Sequence, residues 1–169
     1  MGSSGRTRSS GWRARRSASR RSDYDRVVVV RETIEVAPSV EDAFAYVADF
    51  TTSAEWDPGI VSSVLVAGDG GVGTEYDVVA HFRGREVPFR FRVTELDPNR
   101  RLVLVGEGKG ARSTDTIEFE RSGDGTRITY TADFRGKGLF ALALPFMAAT
   151  FRRLAADALA GLKVVLDAW

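Results

Sequence analysis

Cysteine is absent from the 169 residues, which excludes disulfides, thiolate metal sites and cysteine nucleophiles together. Histidine occurs once, at His81, so a histidine metal cluster is excluded as well. Carboxylates alone can hold a hard cation, but no spaced acidic run of the D-x-D-x-D-G kind occurs. No metal and no cofactor is expected. Long apolar runs are also lacking: the longest without a charge, Leu139 to Phe151, has about 13 residues where a helical membrane span needs roughly 20. The sequence therefore predicts a soluble chain and no integral membrane protein.

Acidic residues are missing from one place. Residues 1–22 carry seven arginines (Arg6, Arg8, Arg13, Arg15, Arg16, Arg20 and Arg21) and no acid, so the formal net charge of +1 conceals a basic arm on an acidic body. An Arg/Ser/Gly segment with one Trp buries too little apolar surface to offset its ordering entropy, and residues 1–24 are expected to be a disordered arm. The twin arginines lack the apolar stretch that an export signal needs; a transit peptide fits the composition better, without a clear amphipathic pattern, and a cytoplasmic location is expected. Charge alone would draw such an arm to nucleic acid or an anionic membrane, an effect weakened by salt. A solvated tail is the preferred reading. The remaining residues, 25–169, at 43% hydrophobic and 28% charged content for the whole chain, suit one globular domain, monomeric or homodimeric.

The period of the apolar residues sets the elements. Residues 27–36, VVVVRETIEV, are β-branched and read as a strand, stopped by Ala37-Pro38-Ser39. Ser39 caps a short helix whose Val40, Ala43, Phe44 and Val47 share one face. A second small helix carries Phe50, Ala54 and Trp56 up to the breakers Pro58 and Gly59. From residue 61 to 134 the apolar residues alternate between turn signals, which gives six more strands. Their inward sets include Tyr76, Val78, Ala80 and Phe82, then Val87, Phe89, Phe91 and Val93. Short connections make the neighbours antiparallel, with one polar face. The last 30 residues change period: Phe140, Leu144, Met147, Phe151, Leu154, Ala158, Leu162, Val165 and Trp169 line one side of a long amphipathic helix, expected to start near Pro145.

The fold class predicted is α+β of the helix-grip kind: a seven-stranded curved antiparallel sheet, two short helices after the first strand, and one long C-terminal helix over an apolar cavity. In this order of elements the pieces VAPSVEDAFAYVADF (36–50), EWDPGI (55–60), Gly73-x-x-Tyr76, FRVTELDPNRRLV (91–103), GDGTRITYTADF (123–134) and LKVVLD (162–167) occur. Residues 27–169 thereby resemble the polyketide cyclase/dehydrase and lipid-transport family of the START-like (SRPBCC) superfamily. The resemblance implies a cavity between sheet and helix that takes an apolar or amphipathic small molecule such as a lipid, polyketide or quinone. It implies catalysis only as an alternative, a cyclase or dehydratase, because one fold hosts several activities.

Candidate ligand-binding residues are Trp56, Tyr76, Val78, Phe82, Phe89, Phe91, Leu104, Ile117, Tyr130, Leu144, Met147 and Phe151. Asp115 shares its strand's phase with Ile117 and Phe119, which puts a carboxylate among inward residues and makes it the candidate acid or base. The blander assignment leaves Asp115 near the strand end, paired with Arg112 or wet by the cavity mouth. Tyr76 and Tyr130 would orient a carbonyl or hydroxyl, or simply pack. His81 is out of phase and should face solvent. Gly68-x-Gly70-x-x-Gly73 has the letters of a dinucleotide loop but runs into a strand, so it reads as a hairpin turn. Large rings such as Phe82, Phe89 and Phe91 have the bulk to fill the cavity, which the sequence leaves open.

Overall fold

The computed structural model describes residues 26–169, and the arm with the expectations attached to it lies outside the described residues. Strand β1, Arg26–Val36, begins the sheet. Helix α1, Val40–Ala48, follows, capped by Ser39, whose Oγ accepts the Asp42 N–H at 3.2 Å. A 3-10 turn at Phe50–Thr52 and helix α2, Ser53–Trp56, lead to β2, Ile60–Ala67. Strands β3 (Glu75–Phe82), β4 (Arg85–Asp97), β5 (Arg101–Gly108), β6 (Ala111–Ser122) and β7 (Gly125–Gly136) then run as a meander. The sheet order is β1-β7-β6-β5-β4-β3-β2, with every neighbouring pair antiparallel. Since β1 and β2 are opposite edges, the chain between them must cross the whole sheet. The short helices occupy that crossing and cover one end of the concave face.

The glycine-rich segment 68–73 is the β2–β3 turn, with Gly68, Gly70 and Gly73 all at φ between +94° and +97°, the left-handed region that glycine tolerates. Register shifts at Ile60/Ser62, Leu65/Ala67 and Val93/Glu95 add local twist and bend the sheet. The convex face carries the polar phase of the strands, where Arg90 bridges Glu75 and Asp77 and Arg127 pairs with Glu35. Such exposed pairs are worth little each.

The C-terminal segment differs from expectation at its start. Helix α3, Gly138–Ala143, is followed by a 3-10 turn, Leu144–Met147, that contains Pro145, and helix α4, Ala148–Leu166, begins only after it. Proline offers no amide to an α-helical ladder, and the tighter turn absorbs that loss. Trp169, assigned to the apolar stripe, lies past the helix end and is exposed, its ring edge-on to Tyr46 at 5.2 Å. Taken together, Gly138–Leu166 is a helical run of 29 residues, long and apolar enough to cross a membrane by length and composition. Its clean apolar stretch looked shorter in the sequence because Arg152 and Arg153 interrupt it.

Two apolar clusters hold the layers together. In the larger, Phe44, Val47, Phe50 and Trp56 of the crossing pack with Leu102, Leu104, Phe119 and Ile128 of the sheet and Leu159, Leu162 and Leu166 of α4. The smaller joins Val28 and Val30 of β1 to Leu144, Met147, Phe151 and Ala155. Each large buried side chain contributes about 1.5–3 kcal/mol, so the seating of α4 is a main source of stability. The end of α4 is tied to β1, where Lys163 Nζ donates to the Glu35 carbonyl at 2.5 Å and the Ala37 N–H donates to Asp167 at 2.9 Å.

Candidate functional site

Between the sheet and α4 lies a cavity of about 370 Å³, within the range of small-molecule sites. Its walls are built from the inward phases of β3, β4, β6 and β7 and from Phe151, Leu154, Ala155, Ala158 and Leu159 of α4. The question of ring filling is answered at β5. Phe89 is registered opposite Gly108 and Phe91 opposite Gly106. A Cβ added at Gly106 would stand 2.5 Å from the Phe91 ring, and one at Gly108 would stand 2.7 Å from Phe89. Both rings therefore lie down over backbone that has no side chain, and become wall. Phe82 stacks on Phe151 with centroids 5.6 Å apart, and Phe151 on Phe134 at 4.2 Å, a three-ring partition between β3, α4 and β7.

The polar groups gather on β6 and β7. Asp115 is opposite Ala132, which puts Tyr130, two residues along the same face, in the diagonal position that long side chains reach. Ser113 Oγ donates to Asp115 Oδ1, and the Tyr130 hydroxyl is the second donor that acts on that carboxyl. Burial penalises the carboxylate and pushes the Asp115 pKa up to about 6, only partly offset by those two donors. Tyr130 is pushed well above 10, first by burial and then by the charges of Asp115 and Asp57. Tyr130 borders the cavity.

Asp57 joins this group from the far end of α2. Its Oδ1 accepts the Gly59 N–H at 2.7 Å, and its surface faces the cavity beside Trp56. Burial raises its pKa to about 6, with a further push from Asp157. The charge of Asp57 in turn acts on both Asp115 and Tyr130. The sequence reading missed it, because Asp57-Pro58-Gly59 has the chemistry of a turn; its position beside Trp56 was the available signal.

Of the residues singled out from the sequence, Trp56, Val78, Phe82, Phe89, Phe91, Asp115, Ile117, Tyr130 and Phe151 line the cavity. Four do not. Tyr76 is buried with its ring edge-on to Phe50 at 5.8 Å. Leu104 is fully buried in the larger cluster, while Leu144 and Met147 pack on β1, since the 3-10 turn carries them there. Arg112 pairs with Glu107 at 3.3 Å and leaves Asp115 to Ser113 and Tyr130. The His81 side chain is exposed, at the cavity's border. Among the described residues, no group of three or more His, Asp or Glu is placed to hold a metal ion.

Solved structures share this architecture. TTHA0849 from Thermus thermophilus superposes with a TM-score of 0.72 at 22% identity, covering 83% of this chain and 97% of its own. The Zhui aromatase/cyclase from Streptomyces gives 0.72 at 16% identity, covering 84% and 94%. A START superfamily protein from Mycobacterium smegmatis gives 0.65 at 20%, covering 83% and 95%. At these identities the likeness shows the fold. No curated protein sequence matches the chain. The model of the family described as polyketide cyclase / dehydrase and lipid transport matches residues 27–167, and the chain belongs to that family.

Proposed function

We propose that the protein binds an apolar or amphipathic small molecule, of the lipid, polyketide or quinone kind, in the cavity between the sheet and α4. The observation that carries this is the cavity itself: apolar walls, rings held clear by Gly106 and Gly108, and one polar cluster at Asp115, Tyr130, Ser113 and Asp57. A carboxyl whose pKa is lifted toward 6 is a hydrogen-bond donor for part of the population near neutrality, and suits a ligand carbonyl or hydroxyl better than a second acid. Native mass spectrometry of the purified chain, followed by solvent extraction, tests the assignment. A discrete apolar adduct, lost when Phe91 is replaced by Asp, is expected. A bare chain that also fails to take up a neutral apolar fluorophore contradicts it.

The convergence of Asp115, Tyr130 and Asp57 favours a second reading, a dehydratase or cyclase step. An ionised carboxylate would remove the proton α to a carbonyl while a protonated one gives its proton to the departing hydroxyl, releasing water and leaving the carbon–carbon double bond. Turnover of a β-hydroxy ketone to its enone, followed by ultraviolet absorbance and abolished in both Asp57→Asn and Asp115→Asn, is the outcome this reading requires.

A further inference from the structure

The helical run that roofs the cavity has an outer face with no partner among the described residues. Leu139, Leu142 and Phe146 are 85%, 57% and 88% exposed, and their spacing of three and four puts them on one side of α3 and the turn after it. Ala141 and Leu144, on the other side, are 5% and 0% exposed. Phe140, between them, lines the cavity, so the exposed face borders its mouth. Large apolar side chains displayed together in this way mark an interaction surface.

Its surroundings are cationic. The Lys137 N–H donates to Gly110 O at 2.9 Å, which joins the start of α3 to the β5–β6 turn that carries Lys109. The β3–β4 turn brings Arg83 and Arg85 to the same end of the sheet. Lys109, Lys137, Arg83 and Arg85 are exposed there. Of the acids nearby, Glu107 is paired with Arg112 and Asp133 with Arg135, and Glu86 is exposed. Arg26 is registered with Gly136, so β1 begins at this end.

We propose that this end of the molecule docks on an anionic phospholipid bilayer, with Leu139, Leu142 and Phe146 among the acyl chains and the cavity mouth turned toward the lipid. An apolar helix face flanked by Lys and Arg is the form of an interfacial anchor. The helix lies on the bilayer and does not cross it, because Leu144, Met147 and Phe151 are committed to the core. A second copy of the chain fits less well, since a two-fold contact on this face would oppose cations to cations. The inference concerns the outer face and stands independently of the ligand assigned to the cavity.

The test is sedimentation of the full chain with vesicles of phosphatidylcholine alone and of phosphatidylcholine mixed equally with phosphatidylglycerol. Binding to the mixed vesicles is expected, weakened by salt, and reduced about tenfold or more in the double variant Leu139→Ser, Phe146→Ser. A thermal melt of the double variant, expected to be unchanged, excludes misfolding, and Leu139→Ile, Phe146→Leu should restore binding. Equal binding by the double variant would assign the effect to the arginines alone and overturn the proposal. So would absence of binding to either vesicle, or a dimer in sedimentation velocity that the double variant dissociates.

Discussion

Asp115 sits where its charge is least welcome, on the inward face of β6, with Ser113 and Tyr130 as its donors among the described residues. Its pKa in the folded chain, about 6, is above the ordinary 3.8, so the folded state holds a proton that the unfolded state releases. The stabilising contribution of the neutral carboxyl is therefore complete below 3.8 and is lost as pH rises through about 6. Asp115→Asn keeps the neutral form at every pH. The variant is expected to be more stable than the parent at pH 7 by about 1–3 kcal/mol and to differ little at pH 4, as read from urea unfolding at the two values. A variant that loses stability equally at both pH values would show that the carboxylate is satisfied and that burial does not govern it. Asp115 was legible in the sequence because a period-two strand assigns faces without ambiguity. Asp57 was not, because nothing in a D-P-G turn says that its charge will act on Asp115 and Tyr130.

At the scale of elements, glycines on β5 and α4 set the shape of the site. Gly161 lets α4 lie against the end of α2: a Cβ there would stand 2.0 Å from the Trp56 carbonyl oxygen, so backbone rather than a flexible side chain would have to shift. Gly161→Ala is expected to cost about 1–3 kcal/mol, seen as a lowered urea midpoint with unchanged slope. Gly106→Ala acts differently, because the atom it meets is the tip of the Phe91 ring. The ring should swing into the cavity, so the variant is expected to stay folded and to weaken uptake of an apolar fluorophore severalfold; unchanged uptake would mean that the ring has another place to go. Strand phase gave the inward faces correctly but not the position along them that the short helices cover. Tyr76, Leu104, Val78 and Ile117 are all inward and all in the packed cluster, yet of these Val78 and Ile117 also border the cavity while Tyr76 and Leu104 do not. The start of α4 was equally hidden, since Pro145 is compatible with a first turn, a kink or the 3-10 turn that occurs.

The whole molecule is one curved sheet whose opposite edges are joined by α1 and α2 and whose concave side is closed by α4. This architecture was legible as an order of elements, and membership of the family follows from the match over residues 27–167. What the order of elements does not carry is whether the space under α4 is open, which depends on ring placement over two glycines. The central claim is that this space, about 370 Å³, is a binding site. The most direct test is titration of the chain and its Ala80→Phe variant with N-phenylnaphthylamine, read by fluorescence, because Ala80 lines the cavity and a phenyl group there would occupy it. Saturable uptake of one probe per chain, lost in the variant while its melting is retained, is the result predicted. Equal uptake by both proteins would place the probe elsewhere and contradict the account.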